Sequence, residues 1–183
     1  VGTFHILPFG RLQRFGNKTL AVVQKRQIGR LDAMCSVSSA AQKFAESHYG
    51  IKSAVIPNMI NTAAFKNTVQ IQPMRIVFLG RLVPRKGCHE LFTALARIEP
   101  DLRRSLEVIV AGDGPQRNRL EAYAQKLHLN VSFLGYIEEK QKAPLLASAE
   151  LAVFPATAGE SFGIVLIEAM AAGAGVVVGG NNP

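Results

Sequence analysis

Two carboxylates stand eight positions apart around the start of a predicted helix. Glu160 lies in a short polar loop, and Glu168 is the one charged residue of an apolar helix predicted near residue 163. Burying a carboxylate without partners is expensive, so Glu168 should either reach water at the helix edge or accept hydrogen bonds from a ligand. We interpret this segment as a ligand-binding site.

The residues that precede this helix indicate which ligand it would bind. Ser161 can cap the helix, and Gly163 removes a side chain near its first turn. Backbone N–H groups at the positive end of the helix are therefore predicted to approach an anion such as a phosphate. Because helical side chains tilt toward the N-terminus, Glu168 is aimed back toward the same anion, with Glu160 on its other side.

A basic loop is the second candidate element of the site. Residues 75–79 have the pattern of a strand, a loop follows with the sequence Gly-Arg-Leu-Val-Pro-Arg-Lys-Gly, and a helix is predicted over residues 88–98. Parallel α/β sheets bind ligands at the carboxyl ends of their strands, so Arg81 and Lys86 are predicted to neutralise phosphate charge in that crevice. Arg85 is expected to be solvated.

A glycine turn is the third element. An apolar strand predicted over residues 106–111 runs into Gly-Asp-Gly-Pro, and Pro115 suits the first turn of the next helix. By itself, Gly-x-Gly is a weak signal that commonly means only a sharp turn between a strand and a helix.

Together these motifs resemble the retaining glycosyltransferases of family 4, the glycosyl transferases group 1. The family's Glu-x7-Glu is matched by Glu160 and Glu168, its Gly-Arg-x(4)-Lys-Gly by residues 80–87, and its Gly-(Asp/Glu)-Gly-Pro by residues 112–115. The resemblance implies a GT-B fold, which has two Rossmann domains. We expect this chain to hold the C-terminal donor-binding domain and a remnant of the N-terminal domain.

The same resemblance implies roles for individual residues. In that family the first Glu lies at the donor sugar, the second bonds the ribose hydroxyls of the nucleotide, and the intervening amides meet the diphosphate. The Arg and Lys of the basic loop also contact the diphosphate, and the glycine turn lies near the nucleotide. The donor-binding residues implied here are Arg81, Lys86, Gly112, Ser161, Phe162, Gly163, Ile164 and Glu168, and Glu160 is an implied catalytic residue.

Two shorter matches concern the first part of the chain. Residues 3–5 resemble the family's Thr-(Phe/Trp)-His, which makes His5 the second implied catalytic residue, facing acceptor and donor sugar across the cleft. An ordinary surface histidine is the alternative. Residues 57–61 resemble the family's Pro-Asn-Gly-Val-Asp but have Met59 for Gly and Asn61 for Asp, a departure that leaves the conformation of this loop open.

The alternation of apolar segments predicts the fold class. Strands near residues 75, 107, 131, 151 and 175 alternate with helices near 88, 116, 138 and 163, which favours an α/β fold with a Rossmann-like parallel sheet covered on both faces. Earlier in the chain we predict helices over residues 18–30 and 39–49, and strands over residues 34–37 and 53–56. Residues 1–60 are interpreted as the C-terminal remnant of an acceptor domain and a linker, with linker character continuing over residues 58–73. Residues 61–183 are interpreted as a donor-binding domain truncated at its C-terminus, so the chain alone is expected to be inactive.

The net charge and the cysteine content limit the ligands, partners and compartment that we expect for this chain. The net charge of +8 suits a diphosphate donor or an anionic membrane, and basic residues alternate with apolar ones over residues 11–30. A solvated face of a domain helix is the favoured alternative for that segment, and no aromatic-interleaved pattern predicts nucleic acid binding. Cys35 and Cys88 are too few for a zinc site or a disulfide framework, which suits the cytoplasm, and no metal or cofactor is expected.

The function predicted from these features is transfer of a sugar from a nucleoside diphosphate sugar to a hydroxyl acceptor, with the anomeric configuration retained. The subgroup with the greatest resemblance is the phosphatidylinositol mannosyltransferases, which suggests mannose as the sugar and a lipid or glycan as the acceptor. Two alternatives stay open. One is a phosphorylase or epimerase on the same fold, and the other is a non-catalytic module that binds sugar nucleotides.

Overall fold

In a computed structural model, the described residues are 2–4, 31–66 and 69–180. They belong to two compact units, one comprising residues 1–59, 158–163 and 181–183 and the other residues 60–157 and 164–180. The predicted helix over residues 18–30 lies outside the described residues.

The first unit contains a parallel sheet of three short strands. Its strands are β1 (Gly2–Phe4), β2 (Met34–Ser36) and β3 (Ala54–Val55), in the order β1-β2-β3. Helix α1 (Ser39–Tyr49) has the predicted bounds: the Ser38 side chain accepts a hydrogen bond from the Ala41 amide at its start, and Gly50 in the left-handed conformation ends it.

The second unit is a five-stranded, fully parallel sheet with helices between the strands. Its strand order is β6-β5-β4-β7-β8, which confirms the predicted α/β fold with a Rossmann-like parallel sheet. The strands are β4 (Gln72–Leu79), β5 (Glu107–Ala111), β6 (Val131–Gly135), β7 (Ala149–Phe154) and β8 (Gly175–Val178). The helices are α2 (Cys88–Leu95), α3 (Pro100–Ser105), α4 (Arg117–Lys126), α5 (Glu139–Ala147) and α6 (Ile164–Ala172), and short 3-10 helices span Thr62–Phe65 and Pro84–Lys86.

The central strands are buried on both faces, which explains their continuous apolar sequences. In β4, Ile76 and Phe78 belong to one buried cluster, whereas Val77 and Leu79 belong to another. Successive side chains of a strand point to opposite faces, so the two clusters are the cores on the two sides of the sheet. Helices α2 and α4 contribute to the first core, and α5 and α6 to the second.

Two elements depart from the predictions. The linker character assigned to residues 58–73 is wrong in part, because Thr62–Phe65 is a 3-10 helix, Phe65 is 7% exposed within the same core as Val77, and β4 begins at Gln72. A single turn is too short to show periodicity in sequence. The helix predicted over residues 88–98 ends at Leu95, and α3 follows it, capped by the Glu99 side chain.

Candidate functional site

The loops that follow β4, β5 and β7 lie side by side. Strand β4 pairs with β5 on one side and with β7 on the other, so the carboxyl ends of all three are neighbours. The amide of Leu82 donates to the Asp113 carbonyl at 2.9 Å, and the Gln116 amide donates to the Leu82 carbonyl at 3.1 Å. On the other side, the amide of Thr157 donates to the Arg85 carbonyl at 2.9 Å. This edge is where parallel α/β sheets bind ligands.

The basic loop stands at this edge. Arg81 is exposed just beyond the end of β4, and Lys86 is half-buried at the end of the 3-10 helix Pro84–Lys86. The loop backbone is anchored on both sides by the hydrogen bonds above, so the two cations are carried by a fixed segment. Their contact with a diphosphate remains a prediction.

Gly112 is required by the packing between two of these loops. Its φ is 133°, and a Cβ added there would lie 2.0 Å from the Gly80 carbonyl oxygen. Its amide donates to the Gly135 carbonyl at 2.7 Å. The fold therefore needs glycine at this position whether or not a ligand is bound, and a ligand contact of Gly112 remains a prediction.

We expect Gly112→Ala to reduce the free energy of unfolding by about 2–4 kcal/mol, because the new methyl group meets a backbone carbonyl as well as an unfavourable φ. Denaturant titration measures the change. Gly173→Ala is the matched control: its φ is 88° but a Cβ there meets nothing within 4 Å, so only about 1–2 kcal/mol should be lost. Equal losses for the two variants would contradict the packing role of Gly112.

The loop before α6 begins the segment that holds the two glutamates. Glu160, Ser161 and Phe162 are half-buried, and Gly163 is buried with a φ of 79°. The predicted cap by Ser161 is wrong, because α6 begins at Ile164 and the capping position belongs to Gly163. The left-handed backbone at Gly163 prevents the helix from extending back to Ser161.

Glu168 is buried on α6. It is 4% exposed, so the sequence alternative in which this carboxylate reaches water at the helix edge does not hold. Its Oε1 lies 3.4 Å from the Lys142 Nζ. Within the described part of the chain, its Oε2 is a buried side-chain oxygen with no hydrogen-bond partner. An unsatisfied buried carboxylate oxygen is costly in free energy, so it marks a place where a hydrogen-bond donor of a ligand is expected to bind.

Lys142 was missed by the sequence predictions. It lies on α5, which packs against α6, and its Nζ also contacts the Glu139 carboxylate at 2.7 Å. Burial by itself lowers the pKa of Lys142, but the hydrogen bond to Glu139 and the negative charge of Glu168 outweigh it, and the net pKa is raised. Lys142 is therefore charged at neutral pH. No sequence signal links it to Glu168, because the two residues lie on different helices.

Some predicted features cannot be placed. His5 and the basic segment over residues 11–30 lie outside the described residues. Over the described ranges, no group of three or more His, Cys, Asp or Glu residues is arranged to hold a metal ion. In the same ranges, no helix combines the length and apolar character needed to cross a bilayer.

Comparison with known sequences identifies relatives for most of the chain. The profile of the family described as glycosyl transferases group 1 matches residues 60–182. A phosphatidyl-myo-inositol mannosyltransferase of Propionibacterium freudenreichii subsp. shermanii is 37% identical over 174 residues, which are 90% of this chain and 41% of the relative. The enzyme of the same description from Mycobacterium tuberculosis is 33% identical over 167 residues, which are 86% of this chain and 42% of the relative. The chain thus spans less than half the length of these relatives.

Comparison with solved structures supports the same architecture. The crystal structure of Anabaena HepE in complex with UDP-glucose superposes with a TM-score of 0.79 at 25% sequence identity, covering 98% of this chain and 53% of that chain. Sucrose-phosphate synthase from Thermosynechococcus elongatus superposes with a TM-score of 0.73 at 24% identity, covering 90% and 45%, and shows the shared fold alone.

Proposed function

The chain belongs to the glycosyl transferases group 1 family, and we propose that the whole protein is a retaining glycosyltransferase that uses a nucleoside diphosphate sugar as donor. The single observation that carries this proposal is the buried Glu168 carboxylate, whose Oε2 has no hydrogen-bond partner among the described residues. It lies on the helix that follows β7, beside the strand that ends in the basic loop. In this proposal residues 61–183 form the donor-binding domain.

In this proposal Glu168 binds the ribose of the nucleotide. A vicinal pair of ribose hydroxyls supplies the donors that an unsatisfied carboxylate oxygen needs, and a hydrogen bond to a charged acceptor is stronger than one between neutral groups. The Arg81 and Lys86 side chains meet the diphosphate, together with the backbone amide of Ile164 at the start of α6. Gly112 lines the nucleotide pocket.

The chemical step requires stabilisation of a leaving group. The bond between the anomeric carbon and the diphosphate oxygen breaks, and its electron pair stays on that oxygen. The acceptor hydroxyl oxygen bonds to the same carbon on the same face, and its proton passes to the departing diphosphate oxygen. Negative charge develops on the departing diphosphate, where Arg81 and Lys86 stabilise it. These cations supply the neutralisation that a metal would otherwise give, so we propose a reaction without metal or cofactor. Glu160 and His5 orient the donor sugar.

Mannose and a lipid acceptor are the substrates that we propose. The support is the identity to two phosphatidyl-myo-inositol mannosyltransferases, together with the basic, apolar-interleaved sequence over residues 11–30. That segment suits peripheral contact with an anionic membrane from the cytoplasmic side. The net charge of +8 serves the anionic donor and membrane rather than nucleic acid.

A donor panel tests the function. The whole protein is incubated with GDP-mannose, UDP-glucose and other nucleotide sugars, with phosphatidylinositol as acceptor, and the product is examined by NMR at the anomeric centre. We expect an α-mannoside from the α-configured donor GDP-mannose. An inverted product would contradict retention, and nucleotide-sugar binding without any transfer across acceptors would favour a binding module.

Glu168→Gln should weaken nucleoside diphosphate binding about tenfold, because the ribose hydroxyls lose a charged acceptor whose hydrogen bonds contribute about 1.5–3 kcal/mol. Isothermal titration calorimetry measures the change. Glu90→Gln, which alters an exposed carboxylate on α2, is the matched control and should leave the affinity unchanged. An unchanged affinity in Glu168→Gln would show that this carboxylate does not bind the ribose.

A further inference from the structure

Lys142 lies between two carboxylates of very different exposure. Its side chain is 24% exposed, that of Glu139 is 75% exposed, and that of Glu168 is 6% exposed. The Nζ contacts the outer carboxylate at 2.7 Å and the inner one at 3.4 Å. The three charges therefore form a series of contacts from the exposed Glu139 to the buried Glu168 in the middle of α6, and we call this series the Glu139–Lys142–Glu168 clamp.

Within the clamp, Lys142 contacts only one oxygen of the buried Glu168 carboxylate. Lys142 faces Oε1 of Glu168, and Oε2 is left without a partner among the described residues. A carboxylate buried without a cation is strongly disfavoured, and Lys142 supplies a cation 3.4 Å from Glu168. Because the Lys142 contact lies on Oε1, it also restricts rotation of the carboxylate about its last bond.

Building on the ribose role proposed for Glu168, we propose that Lys142 is a positioning residue that holds Glu168 with its Oε2 directed at the nucleotide ribose. Glu139 holds Lys142 in turn, since their contact is the shorter of the two. Lys142 acts through Glu168 and does not itself contact the nucleotide. Its loss should therefore affect only the part of the binding that depends on the ribose hydroxyls.

The variant Lys142→Met tests this role, with Lys140→Met as the matched control. Lys140 lies on the same helix, is 79% exposed and pairs with Glu138 at 2.7 Å, away from Glu168. The ligand is whichever of GDP and UDP the unaltered whole protein binds more tightly, compared with its 2′,3′-dideoxy form. Calorimetry gives the ratio of the two dissociation constants, which isolates the contribution of the hydroxyls.

We expect the unaltered protein and Lys140→Met to prefer the ribose form about tenfold. In Lys142→Met that preference should disappear, while the dideoxy ligand binds as before. Lys142→Arg should restore part of the preference, because it keeps the charge beside Glu168. Lys142→Gln, which retains a polar side chain, serves if Lys142→Met does not fold, and it should also lose the preference.

Two results would overturn the inference. An unchanged preference in Lys142→Met or Lys142→Gln would show that Glu168 needs no positioning by this lysine. Equal losses for the ribose and dideoxy ligands would place Lys142 against another part of the nucleotide. Failure of the proposed function looks different, because the unaltered protein would then bind neither GDP nor UDP, or would bind nucleotide sugars without transferring the sugar.

Discussion

Replacing Glu160 by alanine should lower sugar transfer by the whole protein about a hundredfold, because misorientation of the reacting sugar has effects of that size. Affinity for free nucleoside diphosphate should survive, since we place this carboxylate at the sugar and not at the nucleotide. Glu160 is half-buried in the loop before α6, whereas the nucleotide contact is assigned to the buried Glu168. Steady-state kinetics with GDP-mannose, paired with nucleotide titrations, measures both quantities.

Glu160→Gln is the matched variant. It keeps a hydrogen-bond acceptor at the same position, so transfer should fall less than in Glu160→Ala. A different outcome would exchange the roles of the two glutamates. If Glu160→Ala abolished nucleoside diphosphate binding and Glu168→Gln left it untouched, Glu160 would be the residue that binds the nucleotide.

Arg81→Ala and Lys86→Ala should each weaken binding of a nucleoside diphosphate by about ten- to a hundredfold, since hydrogen bonds to charged groups contribute about 1.5–3 kcal/mol. Binding of the corresponding nucleoside should change far less, because it lacks the diphosphate. Both side chains come from the loop after β4, whose backbone is anchored to the neighbouring loops at Leu82 and Arg85. Calorimetric titration of each variant with both ligands measures the two losses.

Arg85→Ala is the control within the same loop. Its side chain is not assigned to the diphosphate, so its loss should be much smaller than that of either neighbour. If Arg81→Ala and Lys86→Ala lost equal affinity for the nucleoside and for the nucleoside diphosphate, neither residue would contact the diphosphate. High salt should also reduce the effect of Arg81→Ala, because the interaction of an exposed charge is screened.

Secondary structure was most predictable where the sequence has long apolar segments. Residues 76–79 of β4 and 108–111 of β5 are buried and read as continuous apolar runs. The sequence also places a Ser N-cap and a following Gly around α1. Phe65 shows the opposite case. It is a lone aromatic in a short segment without periodicity, and only its packing beside Val77 and Leu146 reveals that it belongs to a core.

The motif residues were predictable because their local chemistry is unusual. Glu168 is a single charge in an apolar helix, and Arg81 and Lys86 lie in a loop directly after a buried strand. The start of α6 was placed incorrectly, since the choice between Ser161 and Gly163 depends on a backbone angle that the residue types alone do not decide.

The sequence by itself determined the alternation of strands and helices, the parallel sheet and the positions of the charged residues along the chain. These follow from local patterns of apolar and polar residues, which repeat over a few positions. The tertiary structure alone decided that Glu168 is buried, that Lys142 from α5 faces it, and that Gly112 packs against the Gly80 carbonyl. Each of these features depends on contacts between segments far apart in the chain. Sequence patterns over a few positions do not show which helices and loops meet in the folded structure.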